Sequence, residues 1–232
     1  MAKRKSDQIE LVEVEQVSAT HSSVPIWEKY PNLLIYVLGA IALAVAGWWM
    51  YKEFIVKPKQ VEAVSAMWQA EQQFGRDSFQ LALTDPGGGF DGFLALSDKF
   101  SGTEAGNLAH YYAGICYLHI SEYDNAITQL EDFSANGDLL PAMKYGTIGD
   151  CYAEKEDFNK ALDFYDKAAD KSGNDLLTVY YLKKLAMLNE KLGNKDAALK
   201  AYKEIRDDYP SLESNVWKDI DKYIYRLGAG EK

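Results

Sequence analysis

The sequence predicts an all-α protein in which one membrane-spanning helix precedes an array of paired helices, closed at its C-terminal end by a capping helix. Three observations lead to this fold class. The run from Leu33 to Met50 is apolar and uncharged. Matching residues beyond Thr103 recur at separations of 35 and then 37 positions. The last apolar run, Ser214 to Leu227, has helical spacing and predicts the cap.

Composition limits the classes of function. The chain has 232 residues with 25 Lys+Arg and 35 Asp+Glu, a formal net charge of −10. This length allows one or two domains with a sizeable core. Nucleic-acid binding requires clustered basic residues, so we expect no nucleic-acid partner. Two cysteines are too few for a disulfide-stapled scaffold.

The first predicted elements are a flexible N-terminal tail, residues 1–31, and a transmembrane helix, residues 32–56. The uncharged run is long enough to cross a hydrocarbon core. Amphipathic rings at both ends of the run are typical of an aromatic belt at the lipid headgroups. These rings belong to Trp27, Tyr30, Tyr36, Trp48, Trp49, Tyr51 and Phe54. The aromatic belt favours a membrane-spanning helix over a buried soluble one.

A cleaved signal peptide is the competing interpretation, because Ala44-Val45-Ala46 has the small-x-small cleavage pattern. Its leader would be long and of mixed charge, whereas secretory leaders are short and basic. Basic residues on the two sides of the span are nearly balanced, so charge alone leaves the topology open. Small residues form a candidate contact face for another membrane helix. The alternative is that these residues simply face lipid. This face comprises Gly39, Ala40, Ala44 and Gly47.

We expect residues 57–103 to form a linking helix and a degenerate helix pair. Pro58 is expected to bend or break the helix that leaves the membrane. An amphipathic helix is predicted from Val61 to Leu83, with Val61, Val64, Trp68 and Phe74 on one face. The glycine-rich segment 85–89 ends it, and a shorter helix is expected from Asp91 to Phe100.

An internal repeat is the most informative pattern in the chain. Residue pairs that match at a separation of 35 are Gly114/Gly149, Cys116/Cys151, Tyr117/Tyr152 and Ala126/Ala161. Pairs that match at a separation of 37 are Gly149/Ala186, Ala161/Ala198 and Tyr165/Tyr202. Separate anchors therefore agree on one register, and stacked repeats of this length are typical of a helical solenoid.

The pattern resembles the tetratricopeptide repeat over about residues 107–210. The copies read His110-x2-Ala113-Gly114-x2-Tyr117 with Ala126-x3-Leu130, Tyr145-x2-Ile148-Gly149-x2-Tyr152 with Ala161-x3-Tyr165, and Leu182-x2-Leu185-Ala186-x2-Asn189 with Ala198-x3-Tyr202 and Pro210. We expect repeats at about 107–141, 142–178 and 179–210 within a region spanning 104–232, and a cap helix at 214–227. The small residues let paired helices approach closely.

The resemblance also implies a groove lined by the first helix of each pair. The expected groove residues are Leu108, Tyr111, Ile115, Leu118, Met143, Asp150, Tyr180, Lys183 and Met187. This mixed surface lacks the Lys and Asn set by which some family members clamp a C-terminal carboxylate. A groove that is apolar at its N-terminal end suits an extended or helical polypeptide.

Catalytic, metal and cofactor motifs do not emerge from the sequence. HExxH, CxxC and GxSxG are absent, and the three histidines, His21, His110 and His119, are scattered. Cys116 and Cys151 are predicted to be inert packing thiols, too far apart for a disulfide. We therefore expect no cofactor and no enzyme activity, and an enzyme remains a distant alternative.

The order of tail, membrane helix, linking helix and repeat array resembles the YfgM-type ancillary subunit of the bacterial Sec translocon. The resemblance implies an inner-membrane protein with a cytoplasmic N-terminus and a periplasmic repeat domain. It further implies contact with Sec translocon subunits, a PpiD-like periplasmic chaperone, translocating or unfolded polypeptide, and membrane lipid. The alternative is a cytoplasm-facing tetratricopeptide adaptor of another membrane complex.

Overall fold

A computed structural model describes residues 30–213 and 219–228, and these residues form helices joined by turns and short irregular segments, with no strand among them. The predicted all-α fold is confirmed. The chain divides into two compact units, Met1–Met50 and Tyr51–Lys232.

The first unit contains helix α1, Pro31–Tyr51, which continues one residue into the second. Among the described residues there is one helix long and apolar enough to cross a membrane, judged by length and composition. Its large apolar side chains are exposed, as expected of a helix that faces lipid. At Gly39 and Gly47 an added Cβ would meet no atom within 4 Å. The proposed contact face for another helix stays a prediction.

The second unit begins with a π-helical segment, Lys52–Val56, followed directly by α2, Lys57–Phe74. The helix is not broken at Pro58, which lies in the first turn of α2, whereas the expected bend there stays a prediction. Because proline has no backbone N–H, its position in the first turn of a helix leaves no hydrogen-bond donor unsatisfied. The amide of Lys57 donates to the carbonyl of Lys52, five residues earlier, and this wide turn before Pro58 keeps the chain helical.

The predicted single helix from Val61 to Leu83 is also wrong. Helix α2 ends at Phe74, and a turn through Asp77, whose φ is 57°, leads to α3, Phe79–Thr84. A positive φ interrupts a right-handed helix.

The buried face of α2 differs from the predicted one. Ala63, Met67 and Ala70 are buried, whereas Val61, Val64 and Trp68 are 56–68% exposed. Small alanine side chains allow close packing of α2 on the helices that follow it, whereas the bulky side chains point outward. Of the four predicted residues, only Phe74 packs inward, against Phe79 at 5.5 Å between ring centroids.

Helix α4, Phe93–Lys99, completes the irregular region, and α2, α3 and α4 all contact the first repeat helix. In their shared core, here called the N-terminal cluster, the buried aromatic side chains are phenylalanines. Its buried members are Ala63, Met67, Ala70, Ala82, Leu83, Phe93, Leu96, Phe100, Ala105, Ala109, Ala113 and Cys116.

The repeats form three helix pairs. The pairs are α5, Glu104–His119, with α6, Tyr123–Asp132; α7, Leu140–Glu154, with α8, Phe158–Asp170; and α9, Asp175–Lys191, with α10, Lys195–Asp208. The turns inside the pairs place Ser121, Glu156 and Gly193 at φ values of 64°, 60° and 81°. These three positions are 35 and 37 residues apart, so the backbone repeats in the register that the sequence predicts.

Close packing within the pairs has the predicted cause. A Cβ at Gly114 would lie 2.6 Å from Cγ of Leu130, and one at Gly149 would lie 2.8 Å from Cδ1 of Tyr165. The partner alanines, Ala126, Ala161 and Ala198, are completely buried. Glycine in the first helix therefore makes room for a large side chain of the second.

The C-terminal end is closed by α11, Pro210–Glu213, and α12, Ile220–Gly228. Ile220 is buried, and Tyr223 stacks on Tyr202 with ring centroids 5.1 Å apart. Residues 214–218, including the predicted cap residues Val216 and Trp217, lie outside the described residues. Helix α12 packs on α10 as the predicted cap. The core of the last two pairs and α12, here called the C-terminal cluster, contains mainly alanine, tyrosine and leucine.

Candidate partner-binding groove

The nine predicted groove residues all lie on the first helices of the three pairs, and none of them is fully buried. Tyr180 and Met187 are exposed, and the other seven are half-buried. Side chains at these positions are accessible to a partner.

A cavity of about 510 Å³ brings two of the nine together, Leu118 and Asp150. We call it the repeat cavity. Five helices, α5 to α9, supply its lining, which consists of Leu118, His119, Tyr123, Asp150, Ala153, Glu154, Tyr165 and Lys184. The cavity therefore depends on the stacking of all three pairs.

Asp150 organises the polar side of the cavity. Its Oδ1 accepts hydrogen bonds from the Tyr165 hydroxyl at 2.6 Å and from Nζ of Lys184 at 2.6 Å, and Nζ also donates to Oδ2 at 2.8 Å. Asp150 belongs to the second pair and Lys184 to the third. This charge-assisted bond links consecutive repeats and fixes the carboxylate in place.

Tyr165 is a permanent hydrogen-bond donor at this site. Burial raises the pKa of its hydroxyl, and the neighbouring Asp150 carboxylate raises the pKa further. The hydroxyl therefore stays protonated at physiological pH and holds Asp150 in one orientation.

Lys183 and Lys184 face different neighbours. Nζ of Lys183 lies 5.8 Å from the ring centroid of Tyr223 in α12, whereas Lys184 pairs with Asp150. Sequence reasoning selected Lys183, which is three residues from Tyr180. Lys184 is four residues from Tyr180 and shares the same helix face equally well. The spacing alone does not separate the two lysines.

The remaining predicted residues lie outside the repeat cavity. Tyr180 packs edge-on against Tyr181 at 5.0 Å, and Nζ of Lys184 lies 5.1 Å from its ring centroid. Met187 lines a separate cavity of about 380 Å³ beside Tyr223 and Arg226.

On the N-terminal side, Tyr111 packs against Phe133 with ring centroids 5.3 Å apart, and Leu108 packs against the N-terminal cluster. Ile115 and Met143 are half-buried on α5 and α7. The structure thus spreads the predicted residues along several surfaces of the array.

Residues that sequence reasoning missed complete the repeat cavity. From the sequence, Glu154 belongs only to a solvated helix face, although it follows Asp150 by one helical turn. His119 stacks on Phe79, 4.0 Å between centroids, and Tyr123 begins α6. The position of Glu154 could be found from helical spacing, whereas those of His119 and Tyr123 depend on how the pairs stack.

The reactive side chains outside the cavity have structural contacts. Nδ1 of His110 lies 2.8 Å from Oε1 of Gln129. Cys116 and Cys151 are free and buried, and burial raises the pKa of each thiol to about 12. Across residues 30–213 and 219–228, no group of three or more His, Cys, Asp or Glu side chains is arranged to hold a metal ion. His21 lies outside the described residues.

Comparison with known proteins identifies the repeats. The tetratricopeptide repeat family model matches residues 140–211, which span α7 to α10. The second and third pairs therefore match the tetratricopeptide repeat, and the first pair has the same helical arrangement outside the match. No curated protein matches this chain.

Proposed function

We propose that this protein is a membrane-anchored scaffold that binds partner proteins in the repeat cavity. The observation that carries the proposal is the cavity itself, built from all three helix pairs and lined by apolar, aromatic and charged side chains. Tetratricopeptide repeats are protein-interaction modules, which supports a polypeptide as the ligand.

Helix α1 supplies the anchor in this proposal. Its length and its uninterrupted apolar, exposed surface suit a lipid environment. Anchoring confines the array to a layer next to the membrane, so that it meets membrane-bound partners at a raised effective concentration.

The specific machine in the proposal is the bacterial Sec translocon. The architecture of tail, anchor and short repeat array resembles its YfgM-type ancillary subunit. The array would then lie in the periplasm, beside translocon subunits and a PpiD-like chaperone, and contact translocating or unfolded chains. The alternative function is a cytoplasm-facing adaptor of another membrane complex, since the charges that flank α1 are nearly balanced.

Affinity purification tests the binding role. Full-length protein is isolated from membranes in mild detergent, and co-purifying proteins are identified by mass spectrometry. Leu118→Asp, which places a charge in the repeat cavity, is expected to lose the partners. Leu81→Asp, at an exposed leucine of α3, should retain them. Equal recovery by both variants, with circular dichroism unchanged, would remove the cavity from the account.

A topology experiment separates the two membrane hypotheses. Protease added outside spheroplasts should digest a periplasmic array and leave a cytoplasmic one intact. Recovery of translocon subunits together with digestion supports the Sec assignment. Protection of the array, or recovery of an unrelated complex, supports the adaptor instead.

A further inference from the structure

The repeat cavity contains two carboxylates, and only one of them is paired with a lysine. Asp150 is neutralised by Lys184, whose ammonium already makes two hydrogen bonds to it. Glu154 lines the same cavity, is exposed, and has no ion-pair partner among the described residues. The cavity therefore has one excess carboxylate.

An apolar surface lies in the same cavity as this carboxylate. Leu118 and Ala153 are both half-buried and line the cavity, as does the ring of Tyr123. A ligand that fills the cavity must cover these apolar groups and also meet Glu154. An apolar side chain with a nearby cation satisfies both requirements.

We propose that the repeat cavity selects polypeptide segments in which a large apolar residue is close to Arg or Lys. The basic side chain pairs with Glu154, while the apolar one covers Leu118 and Ala153. This inference rests on the proposed function, because it assigns the chemistry of the ligand at that same site.

The wider charge of the domain favours the same partner. Residues 51–232 contain 21 basic and 30 acidic side chains, so a basic segment is attracted at longer range as well. An acidic segment would face the unpaired Glu154, and the one lysine in the lining, Lys184, is already engaged with Asp150. Like charges in such a site disfavour binding.

Three synthetic peptides test this selectivity on the full-length protein in detergent. They are fluorescent repeats of Leu-Ser-Xaa-Ser, in which Xaa is Arg, Gln or Glu, and fluorescence anisotropy at physiological salt measures their affinity. The Arg peptide is expected to bind about tenfold more tightly than the Gln peptide, as one charge-assisted contact implies. The Glu peptide should bind most weakly.

Charge reversal locates the selectivity. Glu154→Lys should abolish or invert the order of the Arg and Glu peptides. Glu131→Lys changes the net charge equally on an exposed side chain outside the cavity, so it should leave that order intact. If the two variants behave alike, selectivity comes from net charge and the inference is overturned.

The peptide experiment tests the inference about ligand chemistry, and the affinity purification tests the proposed function. Equal affinities for the three peptides, or no binding of the Arg peptide, overturn the basic-segment inference. Neither peptide result bears on partner capture, which is contradicted if Leu118→Asp keeps the native partners.

Discussion

The N-terminal and C-terminal clusters are both about half alanine among their buried members, but they differ in their aromatic side chains. The N-terminal cluster uses phenylalanine, as in the stacking of Phe93 on Tyr112 at 4.8 Å. The buried aromatic side chains of the C-terminal cluster are tyrosines, as in Tyr165 against Gly149. The family match covers α7 to α10 only. Helix stacking therefore continues into the N-terminal region, outside the residues that the family model matches.

The largest expected effect is on the N-terminal cluster. Phe93 is fully buried and packs against Phe74 and Tyr112. Phe93→Ala should lower the free energy of unfolding by about 3–5 kcal/mol, because it leaves a cavity. Phe90→Ala, at an exposed phenylalanine nearby, should change it by less than about 0.5 kcal/mol.

Urea denaturation of the full chain in detergent measures these stabilities, and hydrogen exchange resolves where they act. Since stacked repeats are coupled mainly to their neighbours, exchange should rise more in residues 57–119 than in 175–208. Uniform acceleration along the chain would show that the two clusters unfold as one unit.

The second effect concerns close approach between the second and third pairs. A Cβ at Gly146 would lie 2.0 Å from Cε1 of Tyr181, which is buried. Gly146→Ala should destabilise the protein by about 1–3 kcal/mol through overpacking. Gly75→Ala is the control, since its Cβ would have no contact closer than 3.4 Å. Equal thermal stability of the two variants would contradict the tight packing.

The third effect distinguishes the two lysines. Lys184→Met removes both hydrogen bonds from Nζ to the half-buried Asp150 and should cost about 1–2 kcal/mol. Lys183→Met, which leaves both hydrogen bonds from Lys184 to Asp150 in place, should cost less. A double-mutant cycle with Asp150→Asn is expected to show coupling for Lys184 only. Equal coupling for both lysines would place them at one site.

Thiol alkylation compares the two regions chemically. Cys116 lies in the N-terminal cluster, Cys151 lies at the equivalent repeat position, and burial raises the pKa of both thiols to about 12. At about pH 8 neither thiol should react with iodoacetamide in the folded protein. Phe93→Ala should accelerate alkylation of Cys116 more than that of Cys151.

The same pKa values predict a stability change in alkali. A thiol whose pKa is raised by folding stabilises the folded state below the unfolded pKa, about 8.5, and this contribution is lost as pH rises toward about 12. The Cys116→Ala, Cys151→Ala variant should therefore lose less stability across this range than the original chain.

Sequence reasoning reached the fold where local spacing determines packing. Gly114 and Gly149 recur because each faces a large side chain, so their positions were predictable from one repeat to the next. The buried face of α2 was not, because Val61, Val64 and Trp68 have helical spacing whether they face a core or solvent. The positions of α3, α4 and α5, which all pack on α2, select the opposite face, Ala63, Met67 and Ala70.

The candidate site was predictable only in part, for a similar reason. Helical spacing places Leu118 and Asp150 on first helices, but it does not fix which side chains meet across pairs. The contact between Asp150 and Lys184 depends on the rotation of α9 against α7. The hydrogen bond from Tyr165 depends on how α8 packs on α7.

Site-specific photocrosslinking in intact membranes tests the central claim most directly. A photoreactive amino acid replaces His119 in the repeat cavity, Trp68 on the exposed face of α2, or Leu81 on α3, and adducts are identified by mass spectrometry. We predict a protein adduct from position 119 that exceeds those from 68 and 81. Adducts from position 68 or 81 without one from 119 would contradict partner binding in the repeat cavity.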